Sequence, residues 1–247
     1  MTSHALGIER TAPTPLGGQG LALLVDPGRT EPAAAEALAR GAASDGVAAL
    51  LVGDSFGATS AAALVRALRR GAPELPIIQF PATAAQLVAD VDAVLLLSLV
   101  SGRNAQYLIE EHVRAVPFFQ ANPQVAAIST AYCLVDGGHV TSVEAVSQTR
   151  PLPADKPELV AAHVAAAMLI GMRAVYLDAG SGATKPVAPA LVAAARRETR
   201  GTLFVGGGIR DPRGVAAVRE AGADYVVVGT AVERDGRTLA ELARAAG

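Results

Sequence analysis

The chain has 247 residues, 51% of them hydrophobic and 18% charged, with a formal net charge of -2. A near-neutral charge leaves no electrostatic footprint for nucleic acid, and 4% aromatic residues without a Trp leave little to stack bases on. The single cysteine, Cys133, lies in an apolar stretch, which points to a reduced cytoplasmic protein without disulfides.

The opening residues show no signal-peptide pattern, and no apolar run approaches the roughly 20 residues that span a bilayer, so a soluble chain without a transmembrane segment is expected. Residues 1–19 lack apolar periodicity and carry Pro and Gly, which predicts a flexible N-terminal arm. The remainder, residues 20–247, has no internal linker and is expected to form one domain. Short apolar runs recur along it: LALLVD (21–26), AALLVG (48–53), IIQF (77–80), AVLLLS (93–98), STAYCLVD (129–136), AVYLD (174–178), LFVGG (203–207) and YVVVGT (225–230). Each is too brief for a helix and suits a strand buried on both faces. Ala-rich amphipathic stretches lie between them, such as PAAAEALARGAASDG, ATSAAALVRALRRG and RGVAAVREAG, with glycines where helices stop. Strands alternating with helices predict a parallel α/β sheet, and eight strands are the number that closes a (β/α)₈ TIM-type barrel. An open doubly wound sheet is the alternative.

In a barrel the C-terminal ends of the strands converge on one face, where active sites lie. VGGGIRDP (205–212) and VVVGTAVE (226–233) close the last two strands with glycines, whose bare backbone N–H groups can approach an anion. Loops after strands 7 and 8 are a recurrent phosphate site in this fold. Ser181 and Gly182, after the sixth strand, border the same place, with the Ser181 hydroxyl as a donor. Asp178 stands a little further in as a base for a substrate hydroxyl that Tyr176 would position; the alternative is that Asp178 salt-bridges Arg210 or caps a helix. Across the mouth, Asp26 closes the first strand, and Asp54 and Ser55 close the second. So few carboxylates suit Mg²⁺, which keeps several waters and accepts phosphate oxygens; Asp26 could equally cap a helix, since Pro27 follows. His4, His112, His139 and His163 show no metal-ligand spacing. The same cradle would serve a flavin-binding or sugar-phosphate-converting barrel, or a non-catalytic phosphate-binding one.

The order of LLVDPGRT, LVGDS, PIIQFPAT, SLVSGRNAQYLI, TSVEAVSQTRPLP, YLDAGSGA, LFVGGGIRDP and GADYVVVGTAVE resembles the geranylgeranylglyceryl phosphate synthase family from about residue 20 to the end. SLVSGRNAQYLI, the TSV segment and YLDAGSGA resemble its second, largely bacterial group. The resemblance implies a phosphoglycerol prenyltransferase that makes an ether-lipid precursor from a polyprenyl diphosphate and glycerol 1-phosphate. It implies that glycerol 1-phosphate lies against Tyr176, Leu177, Asp178, Ala179, Gly180, Ser181 and Gly182, with Gly207, Gly208, Gly229 and Thr230. It also implies that Asp26 and Ser55 hold Mg²⁺ and that the chain forms homo-oligomers, with transient contact at a membrane surface for the lipid product. Arg103 and Asn104, after the fourth strand, are candidates for the diphosphate. One departure stands out: Asp26-Pro27-Gly28-Arg29 occupies the place of a DPD[KR] motif, so the first acid is kept and the second is replaced by Gly28.

Overall fold

The computed structural model describes residues 17–54, 61–229 and 239–247. Most of the expected arm, together with Ser55 and Thr230, lies outside the described residues.

The strands are β1 Gly20–Val25, β2 Ala49–Val52, β3 Ile77–Gln79, β4 Ala93–Leu99, β5 Ala126–Leu134, β6 Ala174–Asp178, β7 Thr202–Gly206 and β8 Tyr225–Val228. All pair parallel in sequential order, and β8 closes on β1 with Gly20 opposite Tyr225, so the sheet is a closed barrel and the open-sheet alternative falls away. Helices α1 Pro32–Ser44, α2 Ala62–Gly71, α3 Glu111–Ala121, α4 Ser142–Ser147, α5 Pro157–Leu169, α6 Pro189–Glu198, α7 Pro212–Glu220 and α8 Leu239–Ala246 accompany the strands. No helix among the described residues is long and apolar enough to cross a membrane.

The continuous apolar runs are explained by two hydrophobic layers. Alternate residues of β1 show the division: Leu21, Leu23 and Val25 pack outward with the helices, while Ala22 joins Ala49, Leu51, Ile78 and Leu95 inside the barrel. The scarce aromatic residues concentrate inside. Phe80, Tyr132, Tyr176, Phe204 and Tyr225 form one run, with neighbouring ring centroids between 4.7 and 5.9 Å apart. Pro opens α1, α5, α6 and α7, where its fixed φ suits the first turn and its missing N–H costs nothing. Asp211 also caps α7 by accepting the Gly214 N–H at 2.8 Å.

Alternation with helices fails once. Between β3 and β4 stands only a 3₁₀ turn, Ala84–Gln86. The reason is buried Gln79 on β3: its Nε2 donates to the Gln86 carbonyl at 2.6 Å and its Oε1 accepts the Val88 N–H at 3.1 Å. These bonds hold the connection extended against the strand and satisfy backbone groups that a helix would otherwise pair.

Cys133 is fully buried in the helix-facing layer, and burial pushes its thiol up to about 12. Since only the thiolate is reactive, the native protein is expected to resist a thiol reagent at pH 8 and to react with one equivalent once unfolded. Rapid labelling of the folded chain would contradict this packing.

Candidate active site

The sheet alternation that builds the core also aims the site. On β6, Tyr176 and Asp178 point into the barrel, whereas Leu177 between them packs in the outer layer. Leu177 therefore offers the cleft no side chain. Ala179 likewise packs outward, and its N–H continues the sheet to the Gly206 carbonyl at 3.1 Å.

A cleft of about 820 Å³, its open mouth included, occupies the C-terminal end of the barrel. Its walls bring together Asp26, Arg29, Asp54, Phe80, Tyr176, Asp178, Gly180, Ser181, Gly182, Gly207, Gly208, Arg210 and Gly229. Residues from strands far apart in the chain thus share one space.

The glycine side of this cleft is built by close backbone approach. Gly180 and Gly182 have positive φ (87° and 76°), and the Gly180 carbonyl accepts the Ala183 N–H at 3.2 Å to close a turn. Gly207 and Gly208 follow with φ of 85° and 73°. A Cβ on Gly207 would stand 2.6 Å from the Gly180 nitrogen and 2.7 Å from Asp178 Oδ1, so only glycine lets the β7 loop seat against the β6 turn. Arg210 ties the two together by donating to the Ala183 carbonyl at 2.7 Å, and Asp178 has no bond to it. The backbone N–H groups of Gly207, Gly208 and Gly229 donate to no acceptor among the described residues. Unpaired backbone donors on residues that line one cleft, with Arg210 and Arg29 on its walls, suit a phosphate.

Asp178 is buried, with a donor on each oxygen: the Tyr132 hydroxyl reaches Oδ2 at 2.6 Å and the Gly180 N–H reaches Oδ1 at 2.7 Å. Burial raises its pKa above the ordinary aspartate value, and these two bonds partly offset the rise. Burial together with the Asp178 charge pushes both Tyr132 and Tyr176 well above the usual phenol range, so each hydroxyl keeps its proton. Tyr132 has no place among the residues expected from the sequence. Its signal was a single phenol in the apolar run STAYCLVD, because a buried Tyr hydroxyl needs a partner.

On the opposite wall Asp26 caps a turn rather than a helix. Its Oδ1 accepts the Gly28 N–H at 2.7 Å, its Oδ2 lies 3.4 Å from Arg29 Nε, and α1 starts only at Pro32. Asp54 accepts from Gln86 Nε2 at 2.8 Å. Among the described residues no three His, Cys, Asp or Glu side chains converge as a metal centre. The two carboxylates of Asp26 and Asp54 on one cleft wall are a sparse, all-oxygen set that fits Mg²⁺ and does not fit zinc.

Arg103 and Asn104 do not line the cleft. Arg103 folds back onto its own loop, donating to the Gly102 carbonyl at 2.6 Å. Asn104 accepts the Gln106 N–H at 3.1 Å and donates to the Ser147 carbonyl at 3.1 Å, which clips the β4 loop to α4. Both side chains bond backbone groups, Arg103 within its own loop and Asn104 both there and on α4.

A second cleft of about 540 Å³ adjoins the first, sharing Asp54 and Phe80 with it. Its walls are mainly apolar, from Leu97, Leu99, Tyr107, Tyr132, Val143 and Val146. The barrel rim therefore holds a polar, glycine-lined cleft beside an apolar one.

A model described as the PcrB family matches residues 20–246. The chain belongs to the PcrB family. Geranylgeranylglyceryl phosphate synthase of Spirosoma linguale is 40% identical over 227 residues, 92% of this chain and 91% of that one. The protein of the same name from Methanothrix thermoacetophila is 41% identical over 216 residues, 86% of this chain and 83% of that one. Among solved structures, (S)-3-O-geranylgeranylglyceryl phosphate synthase from Thermoplasma acidophilum, in complex with its substrate sn-glycerol-1-phosphate, aligns with a TM-score of 0.86. It is 27% identical, and the alignment covers 94% of each chain. This member of the PcrB family is an enzyme, a prenyltransferase.

Proposed function

We propose that this PcrB-family enzyme transfers a prenyl group from a polyprenyl diphosphate to the C3 hydroxyl of sn-glycerol 1-phosphate, with Mg²⁺ as cofactor. The observation that carries the proposal is the junction of the two clefts, where Phe80 and Asp54 belong to both and Asp178 lies alongside. A phosphorylated acceptor fits the glycine cradle, and an apolar tail fits the neighbouring cleft. The reacting carbon would then sit where the two meet.

In this reading Gly207, Gly208 and Gly229 present N–H groups to the acceptor's phosphate, and Ser181 lines the same side. Tyr176 and Asp178 face the C3 hydroxyl from β6. The oxygen of that hydroxyl bonds to C1 of the prenyl chain as the C1–O bond to diphosphate breaks, and the hydroxyl proton passes to Asp178. An ordinary aspartate, near pKa 4, is a weak base for an alcohol. Burial narrows that gap by raising the Asp178 pKa, and positioning of the two reactants supplies much of the remainder. Apolar walls from Leu97, Leu99 and Val143 exclude water from the allylic end, which suppresses hydrolysis of the donor.

Asp26, with Ser55 and with Asp54 from the same wall, would hold Mg²⁺, which when bound supplies charge neutralisation for the departing diphosphate. Gly28 cannot take part through a side chain, and a Cβ there would stand 3.2 Å from Asp26 Oδ1. Asp54 offers the nearby cleft a carboxylate in its stead.

The test is incubation of the purified protein with labelled glycerol 1-phosphate, Mg²⁺ and prenyl diphosphates of graded length, followed by extraction. A lipid-soluble labelled phosphate ether is expected; absence of any product across the series would reject the proposal. EDTA is expected to abolish turnover and excess Mg²⁺ to restore it, so turnover that survives chelation would remove the metal from the reading.

A further inference from the structure

The inference concerns Tyr132 and rests on the reading of Asp178 as the base. Tyr132 on β5 stands opposite Tyr176 on β6, and Leu134 opposite Asp178, so Tyr132 faces the barrel interior one inward-facing step before the acid. Its ring lines the apolar cleft and packs edge-on against Phe80 and Tyr176, with centroids 5.8 and 5.7 Å away. Its hydroxyl reaches past them to Asp178 Oδ2 at 2.6 Å. The phenol therefore spans from the wall of the apolar cleft to the acid of the polar one.

We propose that Tyr132 is a positioning residue of the transfer reaction, whose hydroxyl holds the Asp178 carboxylate in the orientation that receives the acceptor's proton. A carboxylate has about four lone-pair sites. The Tyr132 hydroxyl and the Gly180 N–H each take a site, on different oxygens, so the group cannot rotate without losing a bond. The remaining sites stay available for the incoming hydroxyl. Packing of the Tyr132 ring against Phe80 and Tyr176 fixes the donor in turn, so the orientation is set by the barrel rather than by the substrate.

A packing role and a positioning role differ in what they do to acidity. The Tyr132 bond favours the ionised form of Asp178, whereas burial opposes it. Removing the hydroxyl while keeping the ring leaves burial unopposed on that side, so the carboxyl should protonate at higher pH. The other groups around the acid are unaltered by that change: Tyr176 on its own strand, and Asp26, Arg29, Asp54 and Arg210 around the same cleft.

The experiment compares Tyr132→Phe with the wild-type enzyme and with Asp178→Asn. Readouts are kcat and KM for glycerol 1-phosphate, the pH profile of kcat/KM, calorimetric affinity for glycerol 1-phosphate, and Tm. Tyr132→Phe is expected to bind glycerol 1-phosphate as the wild type does, with kcat lower by about 10- to 100-fold. The acid limb of its profile should move up by about one pH unit, the size expected when a hydrogen bond to a charged group is lost. Site-specific 3-fluorotyrosine, a stronger donor of similar size, should move the limb down, and it serves equally if Tyr132→Phe fails to fold. A lowered kcat with an unmoved acid limb would mark a packing role and overturn the proposal. Full activity of Tyr132→Phe beside a crippled Asp178→Asn would overturn it alone. Full activity of Asp178→Asn would overturn the base assignment itself, and the proposal with it.

Discussion

Asp178→Asn is expected to bind glycerol 1-phosphate with near-native affinity while losing turnover by about 10²- to 10⁴-fold, the usual cost of removing a positioned base. The amide keeps the size of the side chain, so the barrel interior around Tyr176 and Phe80 has no cavity to fill. Binding is expected to survive because the proposed phosphate contacts are those of Gly207, Gly208 and Gly229, which line the cleft and are not altered by the substitution. What is lost is an acceptor able to carry the proton. The wild-type profile should show the same group: activity falls as pH drops through the Asp178 pKa, and because burial has raised that value, the fall begins at higher pH than for an exposed aspartate. Calorimetry with glycerol 1-phosphate beside steady-state kinetics separates the two effects. Unchanged kcat in Asp178→Asn would reject the assignment.

The second large effect is expected at Gly207. Alanine there must adopt a φ of 85°, which costs an L-residue roughly 1–2 kcal/mol. Its Cβ would also stand 2.6 Å from the Gly180 nitrogen and 2.7 Å from both the Ala179 nitrogen and Asp178 Oδ1. Relief of that overlap requires movement of the β6 turn, at a further cost of about 1–3 kcal/mol. For a domain of this size the sum predicts a Tm lower by on the order of 10 °C. Affinity for glycerol 1-phosphate should drop at least about tenfold, since on the proposed reading Gly207 and Gly208 carry phosphate donors and the overlap pushes their loop off the β6 turn that seats it. Gly182→Ala is the comparison that isolates strain from overlap. Its φ is 76°, yet a Cβ there meets nothing within 4 Å, so its melting point should fall far less. Equal losses in the two variants would mean that the close approach at Gly207 plays no part.

The strands were legible because closure buries both of their faces, which writes them as uninterrupted apolar runs; AVYLD coincides with β6 from end to end. The glycine loops after β6, β7 and β8 were legible as clusters of residues without side chains, and at Gly180 and Gly207 no other residue would tolerate the close approach that the barrel imposes. Three features were not. The missing helix between β3 and β4 depends on Gln79, a polar residue in a buried strand whose partners at Gln86 and Val88 become visible only when the connection is seen lying on the barrel. Arg103 and Asn104 carry the right chemistry for a diphosphate, but local carbonyl and amide groups captured their side chains first. Tyr132 was indistinguishable from core packing, since an aromatic residue in an apolar run is usually just that.

The sequence by itself determined the succession and number of strands along the chain, the small residues of the rim and the presence of Asp178 at the end of β6. Those are properties of short segments, set by local periodicity and by backbone conformations that only glycine reaches readily. Only the tertiary structure decided which residues meet. Tyr132 and Asp178 are 46 positions apart and touch because the β5–β6 register places them on one face of a closed sheet. The Leu177 side chain faces away from the cleft for the same reason, as pleating turns every second side chain to the helices. Barrel closure converts sequence alternation into a choice of side, and that choice settles which side chains line the cleft.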